Sequence, residues 1–150
     1  NNGKISMTND IYHEGIKKIA RMPTTTKKLK QADASIRLDN RLCGDRIDIE
    51  LCCNNKVITE LYHKVRGCLL CEAAANIVAQ HSIGTTITEL DNITGQFIRF
   101  LKNNDNTNTT FDSPWQELNL LGPVSNHKSR HQCVLLPFQA IQQALTNISQ

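Results

Sequence analysis

The sequence predicts an α+β fold, with three short strands in its first half and helices on either side of them. Between Ala34 and Val65 apolar residues recur at alternate positions, the period of a half-buried strand. From Leu69 onward the apolar stretches are longer and helical in period, and Gly84 and the pair Gly122-Pro123 interrupt them. A chain of 150 residues suits one domain. It has room to bury about two thirds of its unfolded surface, so it needs no disulfide or metal merely to fold.

In chain order, Ile11–Arg21 reads as a first helix, with Asp10 as N-cap and Pro23 as stop. Its Ile11, Ile16, Ile19 and Ala20 approximate one face. Thr24–Lys30 is a polar, basic connector. Ala34, Ile36 and Leu38 mark a first strand, and Ile47, Ile49, Leu51 and Cys53 a second. Val57, Thr59, Leu61, His63 and Val65 then share one parity on a third. A three-residue loop, Asn54-Asn55-Lys56, would pair Cys53 with Val57 and Ile47 with His63. Extending that register places Asp45 opposite Val65 and Cys43 opposite Gly67, next to Cys68. A two-residue loop would shift the register by one and keep the neighbourhood.

Leu69–Ser82 is the next helix. Thr86 and Glu89 form a capping box for another, with Leu90, Ile93, Phe97 and Leu101 as its stripe. Asn103–Thr110 reads as a polar loop. Ser113 caps a short helix with Pro114 at its first position, and that helix ends at Gly122-Pro123. Val124–His131 reads as an irregular linker. The last helix carries Val134, Phe138, Ile141, Leu145 and Ile148, with His131 and Cys133 at or just before its start. Pro137 is tolerable only in its first two turns.

Composition narrows the function. Net charge is +3, and residues 1–40 hold eight Lys or Arg against four Asp or Glu. That excess is too mild to imply nucleic acid, and seven aromatics are few for base stacking. Lys17, Lys18, Arg21, Lys27, Lys28 and Lys30 form either a solvated face or a dock for an acidic partner. The longest stretch without charge, 131–150, contains Pro137 and several amides and is no membrane span. No secretory signal is visible, residues 1–8 read as disordered or tag-like, and the chain reads as cytoplasmic.

Six cysteines in such a chain point to metal or thiol chemistry rather than disulfides. Gly44 permits a sharp turn between Cys43 and Asp45, so both side chains can face one point. Cys68 stands between a strand and a helix N-terminus, which favours a thiolate. Cys71 is one helical turn on. Cys133 is near another helix start. Three thiolates and one oxygen or nitrogen suit zinc or an iron–sulfur centre, although buried cysteines also serve as small hydrophobes. Cys53 and His63 share apolar parities and read as core, whereas Cys52 alternates to the polar face without a role.

Three segments carry a family resemblance: Asn40-Arg41-Leu42-Cys43-Gly44-Asp45, Arg66-Gly67-Cys68-Leu69-Leu70-Cys71 and Arg130-His131-Gln132-Cys133. Together they resemble the NifU/IscU/SufU-type iron–sulfur cluster assembly scaffolds, from about Asp10 to Leu145. The resemblance implies a three-stranded antiparallel sheet packed by about five helices. It implies a non-enzymatic scaffold that holds zinc, or iron as a nascent [2Fe–2S] cluster, on Cys43, Asp45, Cys68 and Cys133. It also implies sulfur acceptance at Cys68, Cys133 and Cys43 from a cysteine desulfurase, with apo iron–sulfur proteins as onward partners. The long separation before Cys133 is similar to the zinc-binding SufU branch. Departures are Arg41 for the family's proline, Val65 for a glycine, Cys71 for a serine, and Gln132 for the usual histidine or lysine. The family's chaperone-recognition motif is absent, and Leu121-Gly122-Pro123-Val124 only echoes it.

His131 and Cys71 are candidates for an additional ligand. Two other functions fit the residues. One is a thiol–disulfide redox protein built on Cys68 and Cys71, and the other a structural zinc domain serving interactions.

Overall fold

The computed structural model describes residues 13–23, 27–102 and 110–148. Helix α1, Glu14–Ala20, is three residues shorter at its start than expected, because His13 caps it. The imidazole Nδ1 of His13 accepts the N–H groups of Gly15 and Ile16 at 3.1 and 3.3 Å, and its Nε2 donates to the Leu120 carbonyl at 3.1 Å. One ring therefore satisfies orphan helix donors and ties the helix to a distant segment. The expected Asp10 cap and the lead-in of residues 1–8 lie outside the described residues.

Strands β1 (Ala34–Asn40), β2 (Asp45–Asn54) and β3 (Val57–Arg66) form an antiparallel sheet in that order. The β2–β3 connection corrects the expected three-residue loop. Asn54 pairs with Val57 across a two-residue turn in which Asn55 and Lys56 both have positive φ, 53° and 67°. Such a turn matches strand twist better than a longer loop does. It moves the register by one, which by itself would turn the buried residues outward. A bulge between Cys52 and Cys53 moves it by one more, leaving Thr59 between the pairs. Leu51 then meets Leu61, Ile49 meets His63 and Ile47 meets Val65, all with apolar parity intact. The net shift of two residues brings Asp45 alongside Gly67 rather than Val65.

Helices α2 (Leu69–Ser82) and α4 (His131–Ile148) pack on each other and cover the inner sheet face, α4 over β1 and β2 and α2 over β3. The run Ala73-Ala74-Ala75, wholly buried, lets α2 approach closely. Helix α3 (Ile87–Lys102) opens on the expected capping box. Thr86 N–H donates to Glu89 Oε1 at 2.9 Å, and Glu89 N–H to Thr86 Oγ1 at 3.2 Å. Thr94, not Ile93, completes its buried stripe, satisfying its hydroxyl on the Leu90 carbonyl at 2.8 Å. Beyond it Phe97, Phe100, Phe111, Trp115 and Phe138 form an aromatic cluster, with Phe97 and Phe138 5.0 Å apart. Residues 103–109 of the expected polar loop lie outside the described residues.

The segment after Trp115 differs from expectation. It is a 3-10 helix, Gln116–Asn126, that runs through Gly122-Pro123, and a 3-10 turn, Lys128–Arg130, replaces much of the expected irregular linker. Ser113 is not a cap; Trp115 holds that position without a side-chain bond. Among the described residues four α-helices and this 3-10 helix pack with the sheet, the expected architecture. His63 is core, as expected: buried, with its Nε2 3.1 Å from Asn76 Oδ1, while Asn76 Nδ2 donates to the Ile19 carbonyl at 2.8 Å. Cys53 is half-buried against the core and Cys52 reaches the Gln31 carbonyl at 3.3 Å. No helix among the described residues is long and apolar enough to cross a membrane.

Candidate metal centre

The four loops and ends that carry the quoted motifs meet at one end of the sheet. The β1–β2 turn is closed by Gly44 N–H donating to the Asn40 carbonyl at 2.8 Å, with Gly44 at φ 74°. That conformation suits glycine and aims Cys43 inward while leaving Leu42 90% exposed. Asp45 opens β2 on the inner face and is 1% exposed. Its Oδ1 accepts the Cys68 N–H at 2.9 Å, which locks the turn to the start of α2.

Cys68 is the N-cap of α2, and its Sγ accepts the Cys71 N–H at 3.5 Å. Cys133, in the first turn of α4, is fully buried. Its Sγ lies 3.4 Å from Cys43 Sγ, and Cys43 Sγ lies 3.7 Å from the Ser129 carbonyl. Ligand atoms of Cys43, Asp45 and Cys133 all lie within 4.8 Å of one another. Cys68 lies outside that set and is tied to it by its backbone N–H, which donates to Asp45 Oδ1.

Two sulfurs on a tetrahedral zinc stand about 3.8 Å apart, given Zn–S bonds near 2.3 Å. The Cys43–Cys133 separation is close to that. The donor set fits a metal for a second reason. Asp45 Oδ2 is buried and has no hydrogen-bond partner. A buried carboxylate oxygen without a partner is costly, and a cation among the thiolates would offset that cost.

The thiols differ in acidity. The neighbouring Cys133 thiol does most to lower the Cys68 pKa from the usual thiol value to about 7, and the Cys71 and Leu70 N–H groups assist against burial. Cys133 is correspondingly pushed up, by Cys68 first and then by burial. Burial, then the Asp45 charge, pushes Cys71 well above the thiol range. Cys68 is therefore the first of the three to ionise.

The centre brings together three of the four expected ligands, Cys43, Asp45 and Cys133, while Cys68 stands beside them at the start of α2. Cys71 lies beneath it, fully buried, and faces Cys68 through its backbone N–H. A buried, neutral thiol is a poor resolving partner, so this geometry disfavours the redox reading. His131 is turned to the Ser125 carbonyl, 3.2 Å from Nε2, which must carry the proton there. Gly67 has a role here that its place in the sequence does not reveal. A Cβ at Gly67 would overlap Asp45 Oδ1. No sequence signal marks this, because the need arises from a contact between strands.

The NifU-like N terminal domain profile matches residues 11–109, which include Cys43, Asp45 and Cys68 and stop short of Cys133. Over 140 residues the chain is 23% identical to the iron–sulfur cluster assembly scaffold protein IscU of Thermotoga maritima, covering 93% of this chain and 95% of that protein. The crystal structure of a nitrogen-fixing NifU-like protein (N-terminal) from Brucella abortus superposes with a TM-score of 0.87 at 28% identity, covering 96% and 98% of the two chains. The fold is also shared by a scaffold-protein candidate for the SUF iron–sulfur system of Fervidobacterium islandicum. There the TM-score is 0.75 at 24% identity, covering 92% of this chain and 98% of that one.

Proposed function

The chain belongs to the NifU-like N-terminal domain family, and from that premise we propose that it is an iron–sulfur cluster assembly scaffold. Its metal site is Cys43, Cys68, Cys133 and Asp45, and iron and sulfide are its cargo. The observation that carries this reading is the unpartnered, buried Asp45 Oδ2 beside the Cys43 and Cys133 sulfurs. Thiolates hold iron or zinc firmly, whereas a carboxylate oxygen is the harder, more exchangeable donor. Three sulfurs and one oxygen therefore suit a cargo that is assembled and then handed to apo iron–sulfur proteins. The same set would hold zinc tetrahedrally.

Sulfur enters at Cys68, with Cys43 and Cys133 as further acceptors. The Cys68 thiolate attacks the terminal sulfur of a cysteine desulfurase persulfide. The donor S–S bond breaks, the donor leaves as a thiolate, and a persulfide forms on Cys68 with no net oxidation. Thiolate character near neutral pH favours Cys68 for this step. The protein contributes positioning and ligands and is not an enzyme in its own right.

The test is anaerobic reconstitution with ferrous iron, cysteine and a desulfurase. Equal amounts of bound iron and acid-labile sulfide are expected, and Cys43→Ser, Cys68→Ser or Cys133→Ser should abolish both while circular dichroism stays native. Stoichiometric zinc that admits no iron, on a protein that accepts no sulfur, would replace this reading with a structural zinc module.

A further inference from the structure

The outer face of the sheet carries charges in rungs set by the register. Arg37, Asp48 and Lys64 stand side by side, and Arg37 clamps Asp48 through Nε at 2.6 Å and Nη2 at 3.1 Å. This rung alternates cation, anion, cation. The rung nearest the metal centre does not alternate. It consists of Asp39, Arg46 and Arg66. Arg46 Nε donates to Asp39 at 2.7 Å, while Arg66 has no ion-pair partner among the described residues. Like charges directly opposite on neighbouring strands repel. Arg41, exposed in the β1–β2 turn, is a third guanidinium on the same space. These three arginines line a cavity of about 560 Å³ together with Asn40 and two carboxylates, Asp39, which is paired with Arg46, and Asp45. Asn40 is 7% exposed, and its Nδ2 donor has no partner.

We propose that this cavity binds a small molecule bearing an oxyanion of the carboxylate or phosphate class, held by Arg46 and Arg66, with Arg41 and the Asn40 amide as further donors. A guanidinium fork matches two oxygens of either group. The cavity has the size of small-molecule sites. A bound anion relieves the Arg46–Arg66 repulsion and satisfies the buried Asn40 donor, so it stabilises the fold. Asp45 belongs to both places, which puts the ligand beside the sulfurs. The inference does not depend on the proposed scaffold function.

The test is calorimetric titration and thermal unfolding of the full chain with succinate and, separately, inorganic phosphate, against chloride at equal ionic strength. At least one probe should bind and raise the unfolding midpoint, and which one does identifies the ligand class. Arg66→Ala should weaken that binding at least tenfold, and Arg66→Lys, which keeps the charge and loses the fork, should fall between. Zinc retention by the cysteines should be unchanged in both variants, which separates this site from the metal centre. The proposal is overturned if neither probe acts beyond chloride, or if Arg66→Ala binds as tightly as the wild type. A response confined to a polyglutamate peptide would equally overturn it, in favour of a protein partner.

Discussion

Replacing Gly67 by alanine should damage the metal centre through Asp45. The added Cβ would overlap Asp45 Oδ1 and lie 3.0 Å from Cγ and 3.1 Å from Cβ of that residue. The carboxylate is 1% exposed and packed, so it has little room to retreat. Moving it breaks the 2.9 Å hydrogen bond from Cys68 N–H. A hydrogen bond to a charged group contributes about 1.5–3 kcal/mol, and overpacking costs about 1–3 kcal/mol. Displacement relieves one at the expense of the other, so the net cost is about 2–3 kcal/mol rather than their sum. For a chain of this length that lowers the unfolding midpoint by about 4–12 °C. The assay is thermal unfolding of a double-mutant cycle with Asp45→Ala, which removes Oδ1 and Cγ. In that background Gly67→Ala should cost less than about 1 kcal/mol, the two sites being strongly coupled. An equal cost in both backgrounds would refute the reasoning, since the penalty would then lie in the backbone and not in the carboxylate.

Asp45→Ala should weaken zinc binding at least about tenfold in competition with a chelator, and His131→Ala, whose ring is engaged with the Ser125 carbonyl, should change it little. The reverse outcome would make His131 the fourth ligand. In the metal-free protein, alkylation of Cys68 should rise with pH and level off just above its pKa of about 7, because the thiolate is the nucleophile. Peptide mass mapping should show Cys71 unreacted throughout, its thiol being buried and held neutral. Burial lowers the His63 pKa, against a smaller upward pull from Asn76. The unfolded chain therefore takes up protons first, and stability should fall as pH drops through the ordinary histidine range near 6.5. His63→Gln, which keeps an amide partner for Asn76, should flatten that dependence in urea titrations between pH 7 and pH 5.

Much of the site was legible because its residues advertise themselves by local chemistry. The glycine between Cys43 and Asp45 marks a turn, and Cys68 stands where a strand period gives way to a helical one. The capping box at Thr86 and Glu89 is likewise complete within four residues. Elements set by contacts across the chain were not legible. The α1 cap is His13 because Leu120 is there to orient its ring. The 3-10 helix passes through Gly122-Pro123 against the local stop signal, with Leu118, Leu121 and Val124 buried as it does so.

The hairpin separates the two kinds of information. Alternation alone is enough to pair β2 with β3 and to turn Ile47, Ile49, Leu51 and Leu61 inward, because a period of two permits only one buried face. The motifs around Cys43, Asp45, Cys68 and Cys133 are visible in the sequence too, and their family resemblance implies those four as the expected ligands. How far the strands slide is a property of the folded chain. A two-residue turn and a bulge each contribute one step, and parity is blind to a shift of two. That shift sets Asp45 against Gly67, hands its Oδ1 to Cys68 and leaves its Oδ2 for the sulfurs of Cys43 and Cys133. It also sets Arg46 opposite Arg66. Such pairings depend on where the backbone of one strand stops relative to another. That position is settled by packing over the whole core, and no window of sequence contains it.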